Sequence, residues 1–189
     1  TRGFHQFMRA VPHIQQARPG ARIIVIGGNE TSYGSDNKHP GGLRGQMEKE
    51  VGHLIDWDRL HFLGRVSYAD YQKIIHISAR HIYLTMPFVL SWSALECMAM
   101  EATIVASDVA PVREAMTHGE TALLVDYFDH DAIAQQIIEV LSRPEDYAHL
   151  GPAARRHVVE TYDFHRKCLP VHLTEMNALL TAEQRIALP

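Results

Sequence analysis

Five short runs of apolar, largely β-branched residues recur along this chain, with helical segments between them. They are residues 22–26 (RIIVI), 60–63 (LHFL), 82–84 (IYL), 103–107 (TIVAS) and 122–125 (ALLV). A strand with one wet face alternates apolar and polar residues. A continuous apolar run marks a strand covered on both faces, as in parallel sheets. Strands alternating with helices then predict an α/β fold, a Rossmann-like doubly wound parallel sheet. Helices are expected over 3–17, where Phe4, Phe7, Met8, Val11 and Ile14 fall at helical spacing, and over 43–55. Others are expected over 68–78, with Ser67 as N-cap, around Glu96, over 131–141, and from Pro144 to about Tyr162. Residues 1–165 read as one Rossmann-like domain. Residues 166–189 read as a helical tail with a weaker pattern.

In doubly wound sheets, ligands lie beyond the carboxyl ends of the strands. The loops after Gly27, Gly64, Thr85 and Ser107 share that edge. The segment from Met86 to Met116 is the most informative of them. A turn-like stretch, 87–91, runs into a short helix carrying Glu96; the strand 103–107 and a polar loop, 108–111, follow. A helix N-terminus presents unpaired N–H groups and a partial positive charge, and so suits a phosphate. Leu90, Ser91 and Trp92 are placed to offer backbone N–H groups there; Ser91 or Ser93 as an ordinary N-cap is the plainer reading. Side chains tilt toward the helix N-terminus, so Glu96 reaches toward a group just past the phosphate, such as a ribose hydroxyl. A carboxylate favoured by the helix dipole explains the same residue without a ligand. The Trp92 side chain reads equally as a core anchor. Gly27 and Gly28 permit close backbone approach or simply form a tight turn. The loop 29–42, which includes Tyr33, is long enough to be functional or mobile rather than a simple connector.

Composition excludes other classes. A net charge of −4 with scattered basic residues leaves no electrostatic footprint for nucleic acid. Thirteen histidines show no metal-binding spacing, so no metal site is expected. Two cysteines, Cys97 and Cys168, without a CxxC partner read as reduced thiols in a cytoplasmic protein. No apolar run approaches the roughly 20 residues that span a bilayer, and no signal peptide is visible. The chain opens Thr1-Arg2-Gly3 without a methionine and is expected to be part of a longer protein.

Taken together, these motifs resemble the C-terminal, donor-binding half of GT-B glycosyltransferases, specifically the retaining family 4 group. Arg2-Gly3 stands where the family has a basic residue and glycine opening the first helix. IVIGGN matches a glycine-ending strand, and Phe62-Leu63-Gly64 an F-x-G strand end. Glu96-Cys97-Met98-Ala99 matches the second half of a Glu-x7-Glu motif. Ser107, Asp108, Val109, Val112 and Glu114 match a further segment, and 119–125 a Gly-x-x-x-Leu-Leu-Val turn.

The resemblance implies a nucleotide-diphosphate sugar as donor substrate, with no other cofactor. It implies Glu96 on the ribose, Arg2 on the phosphates, and Gly64, Arg65 and Val66 as the loop meeting the base. Asp108 and Glu114 are expected to cap loops. It further implies a glycan or lipid-linked acceptor, as in bacterial polysaccharide biosynthesis, and an N-terminal acceptor-binding half outside this sequence. The strand before the first helix also lies outside it, and peripheral membrane association would belong to that other half. No nucleophile or general base stands out in this half.

Two departures from the family pattern matter. Phe88 occupies the place of the first glutamate, which in the family lies near the donor sugar. Residues 87–93 (PFVLSWS) are similar to a variant found in some bacterial members, so an active subgroup and a non-catalytic nucleotide-sugar binding module both stay open. The usual Cys-Gly-x-Pro after the Glu96 helix is here Met100-Glu101-Ala102-Thr103, a change that bears on packing.

Overall fold

The computed structural model describes residues 3–30, 38–86 and 89–180. The strands are β1 (Ile23–Ile26), β2 (Leu60–Gly64), β3 (His81–Tyr83), β4 (Ile104–Ser107) and β5 (Leu123–Val125). All pair in parallel, as the continuous apolar runs predict. They form two sheets, β1-β2 and β3-β4-β5, rather than the single expected one. Among the described residues, nothing pairs the open edge of β1 with that of β3.

Helix α1 (Phe4–Ala17) bridges this seam. Its Met8 and Val11 pack with Leu60, Ile23 and Val25, whereas Ala10 and Ile14 pack with Leu84, Val105 and Leu123. The left-handed backbone of Gly3 (φ 65°) brings the start of α1 onto the end of β3; a Cβ there would lie 2.3 Å from the Leu84 Cβ. Helices α2 (Gly42–Val51) and α6 (His130–Ser142) flank α1 on this side. The other face of the three-stranded sheet carries α3 (Tyr68–Ile77), α4 (Trp92–Ala99), α5 (Ala110–Arg113) and α7 (Leu150–Tyr162). The chain ends its described part in α8 (Leu169–Leu179), after a π-helical turn at Phe164–Cys168.

Most sequence expectations hold within a residue or two. Ser67 caps α3 as predicted, accepting from the Asp70 N–H at 3.1 Å. Four differ. The helix over 43–55 stops at Val51 and tightens into a 3₁₀ turn, Gly52–Leu54. The loop 108–111 contains the first half of α5, where Pro111 suits a helix start. The segment opened by Pro144 splits into a 3₁₀ turn, Pro144–Tyr147, and α7. The run 22–26 is not buried on both faces, and Ile24 is 39% exposed. In the described structure, α1 and α2 cover one face of β1-β2, and away from that cover Ile24 and Leu63 stand exposed.

Candidate functional site

The carboxyl edge of the three-stranded sheet is held by paired hydroxyls. Ser107, fully buried at the end of β4, donates to the Thr85 carbonyl at 2.8 Å and accepts from the Thr85 N–H at 2.9 Å. This clamp fixes where the chain leaves β3 on its way to α4. Tyr83, buried at the end of β3, uses its hydroxyl to accept from the Ser91 N–H at 2.9 Å. A buried phenol needs such a partner, and here the partner locates the N-terminus of α4.

That bond revises one expectation. The Ser91 amide is committed to Tyr83, so it is not available to a phosphate in this conformation. Ser91 still stands at the N-cap in extended geometry, but its hydroxyl pairs with that of Ser93 at 2.9 Å instead of capping the helix. The Ala94 N–H closes onto the Ser91 carbonyl at 2.9 Å. The Trp92 and Ser93 amides occupy the first two helical positions and have no intrahelical acceptor. Leu90 packs against the core, and its neighbour Val89 is 60% exposed. The Trp92 side chain is 83% exposed, which removes the core-anchor reading. An anion approaching this helix end would meet the Trp92 and Ser93 amides and an open indole.

Glu96 lies one turn further in, partly buried. Its carboxylate accepts from the Tyr68 hydroxyl at 3.2 Å. This bond ties α4 to the first residue of α3, just past the loop after β2, where Gly64 takes a left-handed backbone (φ 66°) and leads through Arg65 and Val66 to α3. Hydrogen bonding to Glu96 holds the Tyr68 phenol above its ordinary pKa. Arg65 is exposed and pairs with Glu30 at 3.1 Å, joining the loops after β1 and β2. Gly28 sits under that pair: a Cβ there would fall on the Glu30 carboxylate. In this arrangement the Arg65 side chain answers Glu30.

Asp108 pairs with Arg113, whose hydrogen bond holds its carboxyl below the usual range, and α5 starts without a side-chain cap. The Glu114 carbonyl accepts from the Tyr162 hydroxyl at 3.4 Å. Cys97 is fully buried, and burial pushes its thiol up to about 11. Among the described residues, no cluster of histidine, cysteine or carboxylate side chains could hold a metal, and no helix is long and apolar enough to cross a membrane. Arg2, Tyr33 and Phe88 lie outside the described residues.

The structure thus joins Glu96, in α4, to Tyr68, which opens α3 two residues after the Gly64–Val66 loop. Tyr68 and Tyr83 complete the arrangement and were not singled out from sequence; Ser107 was, as the first residue of a family-like segment, though its clamp on Thr85 was not. A tyrosine at the end of an apolar run was the available signal for Tyr83; Tyr68 had none beyond its place just after the Gly64 loop. Two grooves of about 460 and 480 Å³ flank α1, one lined by His13, Asp131 and Gln135, the other by Arg9, Glu50 and Leu54. Neither includes an α4 residue, and both lie away from the polar groups around Glu96. The α4 edge is open, as one wall of a cleft would be.

Comparison with known proteins gives this edge its context. Residues 1–157 match the family described as glycosyl transferases group 1. No curated protein sequence matches the chain. Among solved structures, HepE of Anabaena in complex with UDP-glucose superposes with a TM-score of 0.76 at 17% identity, over 95% of this chain and 46% of HepE. Sucrose-phosphate synthase from Thermosynechococcus elongatus gives 0.69 at 22% identity, over 95% of this chain and 44% of the synthase. The C-terminal domain of the group 1 glycosyltransferase LpcC from Francisella tularensis gives 0.71 at 18% identity, over 86% and 80%. The chain spans less than half the length of HepE and of the synthase. Its fold is that of a GT-B C-terminal half, and the chain belongs to the glycosyl transferases group 1 family.

Proposed function

We propose that this chain is the donor-binding half of a retaining glycosyltransferase. The whole protein would move a sugar from a nucleoside diphosphate onto a glycan or lipid-linked acceptor. One observation carries this reading: a partly buried carboxylate, Glu96, lies one turn inside a helix whose first amides face the ligand edge. Such a helix end neutralises a diphosphate without a metal, and the carboxylate receives the ribose diol. That HepE was crystallised with UDP and with UDP-glucose supports the same ligand class. Catalysis would then rest on positioning the donor and stabilising the departing diphosphate. Residues 1–165 form the donor domain in this reading, and the remaining polypeptide supplies the acceptor half. In the doubly wound order a further strand belongs between β1 and β3. We assign that strand to the remaining polypeptide.

Phe88 in place of an acid favours a second reading, a nucleotide-sugar binding module without transfer activity. The test uses the full-length protein. Saturating UDP, GDP or ADP should raise its melting temperature, by about 2.7 kcal/mol of added stability at a hundredfold excess over Kd. No shift with any of the three would remove the nucleotide site. Binding without sugar transfer would select the module.

A further inference from the structure

The nucleotide reading assigns Glu96 a role but does not explain what orients its carboxylate. A glutamate side chain near a helix N-terminus and open to solvent samples several rotamers, and a diol needs it in one. The structure supplies a brace. Tyr68 opens α3 directly after the Gly64 loop, and its hydroxyl donates to Glu96 Oε1 at 3.2 Å. Tyr68 is itself held. Ser67 caps the helix beneath it through Asp70. Its ring lies against Tyr71 one turn on, with centroids 6.0 Å apart and planes 28° from parallel. The Tyr71 hydroxyl meets Cys97 Sγ at 3.4 Å, on the residue after Glu96. Two tyrosines on one face of α3 therefore grip two consecutive residues of α4.

A carboxylate offers about four acceptor positions. One on Oε1 faces Tyr68, which leaves Oε2 and the second position on Oε1 for a vicinal diol. The phenol is 59% exposed, so its ring stands on the ligand edge between the Gly64–Val66 loop and Glu96.

Resting on the nucleotide-site reading, we propose that Tyr68 is a positioning residue for the donor nucleotide: its hydroxyl holds Glu96 in the orientation that receives the ribose, and couples that contact to the loop on the base side. Tyr68 acts through Glu96 and takes no part in bond making.

The test is nucleotide affinity of the full-length protein, measured by calorimetry with UDP, GDP or ADP, whichever binds, and with its 2′-deoxy analogue. Tyr68→Phe keeps the ring and removes the hydroxyl. It should weaken ribonucleotide binding roughly three- to tenfold, the range of one ordinary hydrogen bond. It should change deoxynucleotide binding less than about twofold, so that discrimination between the two sugars shrinks. In a Glu96→Ala background the same substitution should have no further effect, as coupled residues require. Tyr147→Phe is the matched control. It removes a phenol-to-carboxylate bond of 2.8 Å, to Glu139, away from this edge, and should leave affinity unchanged.

Unchanged affinity and unchanged discrimination in Tyr68→Phe, with Glu96→Ala weakened, would overturn the role of Tyr68 alone. Unchanged affinity in Glu96→Ala would overturn the nucleotide site and this inference together. Tighter binding by Tyr68→Phe would also overturn it, because Tyr68 would then be competing with the ribose for Glu96.

Discussion

β4 and β1 are both four-residue apolar strands in parallel sheets, yet they live in different surroundings. All four residues of β4 are buried, with helices on both faces. No residue of β1 is buried to that degree; Ile24 and, across on β2, Leu63 are 39% and 46% exposed. The difference teaches what a β-branched run reports. It reports the burial a strand is built for, and the three-stranded half meets that burial inside the described residues while the two-stranded half does not. The ligand edge of α4 belongs to the closed half, where Ser107, Thr85 and Tyr83 fix its position.

The largest effect should come from disturbing the closed half where it is tightest. At Gly151 in α7, an added Cβ would lie 2.1 Å from the Glu101 carbonyl oxygen, a backbone atom that cannot swing away. Gly151→Ala should cost about 3 kcal/mol in urea unfolding. At Gly20, just before β1, an added Cβ meets nothing within 4 Å. Gly20→Ala should stay within about 0.5 kcal/mol. Similar costs at both sites would break the contrast between the halves.

Acid should act on the closed half next. His81 on β3 is largely buried, and burial pushes its imidazole down to about 4. Above about pH 6.5 the ring is neutral in the folded and unfolded chain alike. Between 6.5 and 4 only the unfolded chain takes the proton, so stability falls as pH falls, and the loss is complete below 4. The total should be about 3 kcal/mol. His5 on α1 is shifted the same way, chiefly by burial. The decisive measurement is therefore the slope that disappears in His81→Val. An unchanged slope between pH 6.5 and 4 would show that β3 is wetter than the structure has it.

Amide exchange reads the contrast without mutation. β4 amides should exchange at the rate of global unfolding, and those of β1 and β2 about 10- to 100-fold faster. Equal protection would mean that α1 alone closes the open half.

These cases also mark what was legible in the sequence. Strand runs, the Ser67 cap and the Glu96 helix were readable because each depends on neighbours in sequence: branching, capping and period. The split of the sheet was not, because the alternation of strands and helices does not say which strands lie side by side. The commitment of the Ser91 amide to Tyr83 and the grip of Tyr68 on Glu96 escaped for the same reason. The latter bond spans 28 positions and joins two helices whose relative placement no local pattern encodes. Even so, the alternation of strands and helices was enough to expect the Glu96 helix and the Gly64 loop on one edge, and Tyr68, just past that loop, does reach Glu96.

The smallest effect concerns the turn after α4. Glu101 has φ 60°, and among the described residues it is the one non-glycine with a left-handed backbone. The family pattern has glycine at this place. A side chain there costs about 1–2 kcal/mol through the clash of Cβ with the following carbonyl. Glycine would remove that cost and give back about 0.5–1 kcal/mol through the freer unfolded chain. It would also lose the exposed pair between Glu101 and Arg155 at 3.6 Å, worth little at such exposure. Glu101→Gly should therefore stabilise the protein by roughly 0.5–1 kcal/mol, a rise of about 2–3 °C in Tm. Glu101→Ala separates backbone from charge, since alanine keeps the Cβ and drops the carboxylate. Alanine should be neutral or slightly destabilising. If alanine and glycine stabilise equally, the carboxylate is the source of the cost and the backbone at this turn is relaxed. If neither stabilises, the Gly151 contact with the Glu101 carbonyl holds the turn so firmly that its strain is offset by packing, and the closed half is tighter than β4 alone indicates.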